Sequence, residues 1–182
     1  MRIISGKYKG HRFSPPKNLP YRPTTDLAKS GLFNILNNYW NFENIKFLDL
    51  FSGTGSITYE FSSRGCNDIT SVDLNYGCVN YLKKTAESLN IKGIKAIKSD
   101  TFKFINYCSD DFDIIFAGPP YPLTNIPDIS DIVFERKILR EHGWLIVETN
   151  HLTKLDQKDF FNFKRNYGTT VFNFFSWKKS EL

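Results

Sequence analysis

The stretch Phe47-Leu48-Asp49-Leu50-Phe51-Ser52-Gly53-Thr54-Gly55 decides how this chain is read. A short apolar run breaks into two glycines and then into the helix-like residues 56–64, which reads as strand, tight turn, helix. Glycines lack a Cβ, so such a loop lets a ligand lie against backbone N–H groups at a helix start. A dinucleotide fingerprint would place a third glycine three residues after Gly55, where helix and strand approach closely, and this chain has Thr58 there. A pyrophosphate cofactor is thereby disfavoured. The expectation is a nucleoside cofactor without phosphates.

Outward from that turn, residues 69–72 form a second short strand closing on Asp73, residues 77–89 a helix, and residues 94–97 a third strand ending near Asp100. Residues 112–117 form a fourth strand running into Gly118-Pro119-Pro120-Tyr121. Alternating strands and helices predict parallel α/β units with right-handed crossovers. Residues 129–139 read as helix, 144–147 as a fifth strand, and 163–166 with 170–177 as a final strand pair turning at Tyr167-Gly168. Upstream, residues 2–6 and 11–14 suggest a hairpin, stopped by Pro15-Pro16. In Tyr21-Arg22-Pro23-Thr24-Thr25-Asp26, Thr25 or Asp26 suits the cap of a helix over 27–39.

At 182 residues, with 41% hydrophobic and 24% charged residues, the composition is that of an ordinary globular domain. No apolar run approaches a membrane span, and Met1-Arg2-Ile3-Ile4 leads into polar residues instead of a signal-peptide core, so a cytoplasmic protein is expected. Cys66, Cys78 and Cys108 stand apart, which suggests neither a zinc site nor a disulfide framework. The net charge of +5 is unevenly spread. From Met1 to Ser30 the basic residues Arg2, Lys7, Lys9, Arg12, Lys17, Arg22 and Lys29 face one acid, Asp26, as suits a phosphate backbone or simply a solvated surface. The interleaved Tyr8, Phe13 and Tyr21 can stack on bases or fill a small core.

In open α/β sheets ligands sit outside the carboxyl ends of the strands, so polar residues there carry the argument. Asp73 suits either ribose hydroxyls or a helix cap; Asp100 suits either an adenine amino group or the cap of a helix starting near Thr101. Asp49, inside the first strand, needs partners if buried: N–H groups of the glycine loop or a nearby cationic ligand centre. Pro119 and Pro120 remove two backbone donors and stiffen the turn, leaving carbonyls that can accept from an exocyclic amino group whose base Tyr121 could stack on. The same turn is also compatible with a purely structural role.

These segments, preceded by Arg2-Ile3-Ile4-Ser5-Gly6 and Arg22-Pro23-Thr24-Thr25-Asp26, resemble the RsmD-type methyltransferases over most of the chain. These are bacterial enzymes that methylate guanine N2 in 16S ribosomal RNA with S-adenosylmethionine. The resemblance implies a Rossmann-like class I methyltransferase: a seven-stranded, mostly parallel sheet with its last strand antiparallel. Residues 1–40 would be an RNA-contacting extension of hairpin and helix, and residues 41–182 the S-adenosylmethionine-binding domain. It further implies that Asp49, Phe51, Gly53, Thr54, Gly55, Asp73, Leu74, Asp100 and Thr101 hold the cofactor. Gly118, Pro119, Pro120 and Tyr121 would form the catalytic turn, and Lys7, Lys9, Arg12, Arg22, Thr24 and Thr25 would meet RNA. The implied partner is ribosomal RNA or a small-subunit assembly particle, met by a monomer.

Two positions depart from the family pattern. Asp or Asn usually stands where this chain has Gly118, and Glu commonly stands at Ser30. The first departure falls on the chemistry, and it keeps a catalytically inactive RNA-binding homologue in view. A DNA amino-methyltransferase shares the motif chemistry but would want a target-recognition region, and the basic arm argues against a protein-glutamine methyltransferase.

Overall fold

The apolar run before the glycines is a strand, β1 (Lys46–Leu50), in the computed structural model, which describes residues 1–19 and 24–178. Upstream lie α1 (Asp26–Tyr39), capped by the Thr25 hydroxyl accepting from the Ala28 N–H at 3.2 Å, and a single 3-10 turn at Phe42–Asn44. After β1 come α2 (Ser56–Ser63), β2 (Asp68–Asp73), α3 (Tyr76–Ser88), β3 (Ile94–Lys98), α4 (Thr101–Tyr107) and β4 (Phe112–Ala117). The chain ends with α5 (Asp128–Glu135), β5 (Leu139–Thr149), β6 (Phe161–Tyr167) and β7 (Thr170–Phe175).

The seven strands form one sheet in the order β3-β2-β1-β4-β5-β7-β6. β1 to β5 pair in parallel, and β7 runs antiparallel to both of its neighbours. This is the seven-stranded Rossmann-like sheet with an antiparallel last strand that the family resemblance implies. Side chains alternate between its faces. Phe47, Phe116, Ile146 and Phe172 pack with Leu32 and Phe33 of α1 and Phe61 of α2; Leu48, Ile115, Ala117 and Val147 pack with Ile105 of α4 and Ile129 and Val133 of α5. Burial on both faces explains why these strands read as continuous apolar runs.

Three expectations change. The helix expected over 129–139 ends at Glu135: Lys137 adopts φ 54° and turns the chain, and β5 begins at Leu139, not at Trp144. Residues 140–142 are exposed and charged, so they carry no apolar strand signal, yet Arg140 pins them to β4 through Asp113 at 2.7 Å and Asp111 at 3.0 Å. The N-terminal hairpin is present but shorter than expected: around the antiparallel Arg2–Arg12 bridge, the Ile3 N–H donates to the His11 carbonyl at 3.0 Å, the Gly10 N–H to the Ile3 carbonyl at 2.9 Å and the Phe13 N–H to the Met1 carbonyl at 2.9 Å. It stops there because the next N–H groups, of Ile4 and Ser5, donate to the acceptor Glu60 of α2 at 2.8 and 3.1 Å.

That acceptor belongs to a buried network. Glu60 is 0% exposed, and Arg64 donates to it at 2.9 and 3.0 Å; Lys29 of α1, 1% exposed, lies 3.8 Å from it and donates to the Arg2 carbonyl. Burial lowers the Lys29 pKa, and the Glu60 charge opposes that shift. Ser63 closes the clamp by donating to the Ser5 carbonyl and accepting the Tyr8 N–H. Gly6, at φ 82°, lies so close that a Cβ would fall 1.9 Å from the Ser63 carbonyl oxygen. Ile3 and Phe13 then share a core with Tyr59 of α2 and Leu82 and Ala86 of α3.

Candidate active-site cleft

The carboxyl ends of β1, β2, β4 and β5 open into a cleft of about 950 Å³. Its floor is the glycine loop. Phe51 (φ 60°), Gly53 (φ 53°) and Gly55 (φ 90°) are all left-handed, a conformation glycine adopts without strain and Phe51 only under constraint. The Ser52 N–H donates to the Val72 carbonyl at 3.0 Å and the Gly55 N–H to the Ser52 carbonyl at 2.9 Å, so the loop folds back on itself at the start of α2. Ser52 Oγ is buried, lines the cleft and has no hydrogen-bond partner among the described residues.

Each carboxylate that the sequence singles out is held by N–H groups. Asp73 accepts from Gly53 at 2.8 Å with one oxygen and from Asn75 at 2.8 Å with the other; the cap of α3 is Asn75, not Asp73. Asp100 caps α4 by accepting from the Lys103 N–H at 2.8 Å with Oδ1, and it also lines the cleft. Leu74, 65% exposed, Thr101 and Phe102 lie beside them.

Asp49 is 1% exposed, and its partner is Thr58 and not the glycine loop. One carboxylate oxygen accepts the Thr58 N–H at 3.1 Å and the Thr58 hydroxyl at 2.6 Å, and that hydroxyl also meets the Ser71 hydroxyl at 2.8 Å. The residue that replaces the third fingerprint glycine therefore ties α2 to β1 and β2. Burial pushes the Asp49 carboxyl up to about 7, against the Thr58 hydrogen bonds and with the charges of Asp73 and Glu148 adding to the rise.

Opposite the glycine loop, the Gly118 N–H donates to the Leu50 carbonyl at 3.2 Å and the Leu123 N–H to the Pro120 carbonyl at 3.0 Å. Gly118, Pro119, Pro120 and Tyr121 all line the cleft. A Cβ on Gly118 would lie 3.2 Å from the Phe116 ring, a contact a ring tip can yield to, and its backbone is not left-handed. Sequence reasoning passed over Glu148, at the end of β5. It is 2% exposed, lines the cleft, and accepts from the Thr24 hydroxyl at 2.8 Å. Its signal was the one that marked Asp73, an acid closing an apolar strand at the sheet's carboxyl edge.

The basic residues distribute differently. Lys7, Lys9 and Arg12 are exposed on the segment clamped to α2 and are not in the cleft lining, whereas Thr24 is; Thr25 serves as the α1 cap. Arg22 and Tyr21 lie outside the described residues. Phe13 is buried and stacks on Tyr59 at 4.6 Å, and half-buried Tyr8 packs against the same cluster, so Phe13 fills a core and is not a base-stacking surface. Among the described residues no His, Cys, Asp or Glu cluster is arranged to hold a metal, and no helix is long and apolar enough to cross a membrane.

The chemistry of the cleft is specific. It offers buried negative charge, an orphan hydroxyl, carboxylates with spare lone pairs beside an apolar wall, and a glycine loop that admits close approach. These suit a nucleoside that carries positive charge and hydroxyl donors, and among the described lining residues there is no side-chain cation for a pyrophosphate.

The model of a family described as conserved hypothetical protein 95 matches residues 1–176. A ribosomal RNA small subunit methyltransferase D of Buchnera aphidicola is 31% identical over 159 residues, covering 85% of this chain and 79% of its own. Among solved structures, a putative methyltransferase of Escherichia coli superposes with a TM-score of 0.82 at 22% identity, covering 96% of each chain. A T. thermophilus 16S rRNA N2 methyltransferase in complex with AdoMet and guanosine superposes with a TM-score of 0.70 at 21% identity, covering 88% of this chain and 45% of that one. These two structures share its fold.

Proposed function

The chain belongs to the family described as conserved hypothetical protein 95, together with the small-subunit ribosomal RNA methyltransferase D enzymes, and from that membership we propose that it methylates the exocyclic N2 of a guanine in small-subunit ribosomal RNA, using S-adenosylmethionine. One observation carries the reading: the glycine loop, Asp73, Asp100 and the Gly118 to Tyr121 turn all line one cleft. S-adenosylmethionine supplies an electrophilic methyl group on a positively charged sulfur. In this reading Asp73 takes the ribose hydroxyls, and Asp100, Thr101 and Leu74 meet the adenine end. Phe51, Ser52, Gly53, Thr54 and Gly55 lie along the methionine portion, over the Asp49 charge.

Guanine N2 is a weak nucleophile because its lone pair is delocalised into the ring. It must be turned, aligned and relieved of a proton as it reacts. The Gly118 and Pro119 carbonyls accept its N–H bonds, and Tyr121 supports the base. The family's Asp or Asn would add a side-chain acceptor, and its absence lowers the rate on the order of 10² to 10³, by analogy with a lost oxyanion-hole donor. Lys7, Lys9, Arg12, Arg22, Thr24 and Thr25 meet the RNA, so residues 1–40 act as its docking extension to the domain of residues 41–182. The enzyme works as a cytoplasmic monomer on ribosomal RNA or on a particle of the assembling small subunit.

The test is transfer of labelled methyl groups to small subunits lacking their own modification, by this chain and by Gly118→Asp, with calorimetric cofactor binding for both. Transfer by either, with cofactor bound by both, is expected. A second reading rests on Gly118 itself: an RNA-binding homologue that keeps the cofactor cleft without turnover. Cofactor binding with no transfer by the parent chain at any enzyme concentration would favour it.

A further inference from the structure

One polar group in the floor of the cleft has nothing to bond. Both backbone groups of Ser52 are used by the loop itself, the N–H donating to the Val72 carbonyl at 3.0 Å and the carbonyl accepting the Gly55 N–H at 2.9 Å. Its hydroxyl is buried without a partner among the described residues, and the residue as a whole is 9% exposed. An unpaired buried hydroxyl is unfavourable, so its presence calls for a reason. Phe51, immediately before it, is held at φ 60°, a second sign of strain in the same loop. A serine hydroxyl moves between staggered wells by rotation about one torsion, and Ser52 lines the cleft.

The surroundings indicate which ligand group it meets. Ser56 and Ile57, in the first turn of α2, line the same cleft, and the N-cap of that helix, Gly55, has no side chain to satisfy their N–H groups. Lys29, which lies 3.8 Å from Glu60, also donates to the Ser56 hydroxyl at 3.4 Å. That oxygen acts there as an acceptor, so its own hydrogen is left to donate. Two hydroxyl donors and open N–H groups at the positive end of a helix suit an anion, in a cleft whose buried acids, Asp49 and Glu148, do not. We propose that Ser52, with its hydroxyl rotated into the cleft, takes the carboxylate at the amino-acid end of the cofactor together with Ser56 and the first turn of α2, and so selects for a ligand that carries that carboxylate. This rests on the functional reading above. An ammonium would face the positive end of the helix, and the ribose hydroxyls fall to Asp73.

The first test needs no turnover. S-adenosylhomocysteine and S-adenosyl-3-thiopropylamine differ only in the carboxylate, so a group that donates to it discriminates between them. Calorimetric titration of the parent chain should show S-adenosylhomocysteine binding about 100-fold tighter, as expected for hydrogen bonds to a charged group. Ser52→Ala should lower that ratio about tenfold, with affinity for the thiopropylamine held within about twofold. An unchanged ratio, or an equal loss for both ligands, overturns the assignment. If Ser52→Ala does not fold, Ser52→Cys decides, because a thiol is a weak donor: a ratio lowered at least about threefold supports the proposal, and an unaltered one overturns it.

The second test reads the ligand-free chain. Ser52→Ala removes a buried, unpaired hydroxyl, so it should melt about 2 to 4 °C above the parent even as it binds S-adenosylhomocysteine less tightly. A melting temperature below the parent's would mean that the hydroxyl supports the fold, and would sink the proposal. Failure of the parent to bind either ligand would instead sink the functional reading, and this assignment with it. Tight binding of S-adenosylhomocysteine by the parent, with a ratio indifferent to Ser52→Ala, sinks the assignment alone.

Discussion

On the β1–β2 side of the cleft the acids are tied to the backbone: Asp73 to the Gly53 and Asn75 N–H groups, Asp49 to Thr58. On the β4–β5 side the chain presents a glycine, two prolines and Glu148, which meets a hydroxyl from the far end of the sequence. The first half is organised before any ligand arrives. The second carries Gly118 where the resemblance expects Asp or Asn. Under the proposed function, the contrast separates recognition of a cofactor from the chemistry done with it, so the two can be tested apart.

Breaking the organised half from behind should give the largest effect. Glu60→Ala orphans the Ile4 and Ser5 N–H groups and leaves Lys29 buried without its carboxylate, so urea denaturation should show a loss of about 3 to 5 kcal/mol. Repairing the depleted half comes next. Gly118→Asp should raise methyl transfer on the order of 10²-fold with cofactor affinity unchanged, and a parallel rise in affinity would erase the contrast between the halves. Third, Asp73→Asn sets an amide against at least one of two N–H donors and should weaken cofactor binding about 10- to 100-fold by calorimetry, without slowing bound-state transfer as much.

A smaller effect comes from Asp49, whose carboxyl is raised from 3.8 to about 7 by burial. Between those values the folded chain keeps a proton that the unfolded chain has released. The Asp49 contribution to stability is therefore full below about pH 4 and falls as pH rises to about 7. Asp49→Asn should melt about 3 °C above the parent at pH 8 and converge with it near pH 4. The opposite slope would mean that the buried charge is better compensated than its surroundings indicate. Smallest of all, Lys7→Ala or Lys9→Ala should each reduce the salt dependence of RNA binding by about 0.7 to 0.9 in log–log slope, with no change in cofactor affinity.

The parallel core was legible because burial on both faces leaves strands as apolar runs, and because Gly53 and Gly55 meet a backbone need that few other residues satisfy. The start of β5 was not, since Arg140, Glu141 and His142 are solvated, and ion pairs of Arg140 with Asp111 and Asp113 and of Glu141 with Lys178 take the place of a buried face. The N-terminal hairpin was legible, but not its clamping to α2, where Glu60 on a distant helix takes the Ile4 and Ser5 N–H groups. Charged residues in helices read by default as surface, so Lys29 was counted with the basic stretch and Glu60 was passed over, yet both are buried. In the site, Asp73 and Asp100 were read as strand-end acids, while Glu148, which closes β5 with the same signal, was not weighed; its hydrogen-bonded Thr24 lies 124 positions away in sequence.

The order of the last two strands bears on how the molecule is made. β6 is synthesised before β7 but lies outside it, and β7 alone joins β6 to β5, setting Phe172 opposite Glu148. A nascent chain paused after residue 167 holds two open strand edges with nothing to span them, templates for pairing with neighbours on the same message. The wall that carries Glu148 closes only after β7 has emerged, long after the glycine loop on the other side of the cleft.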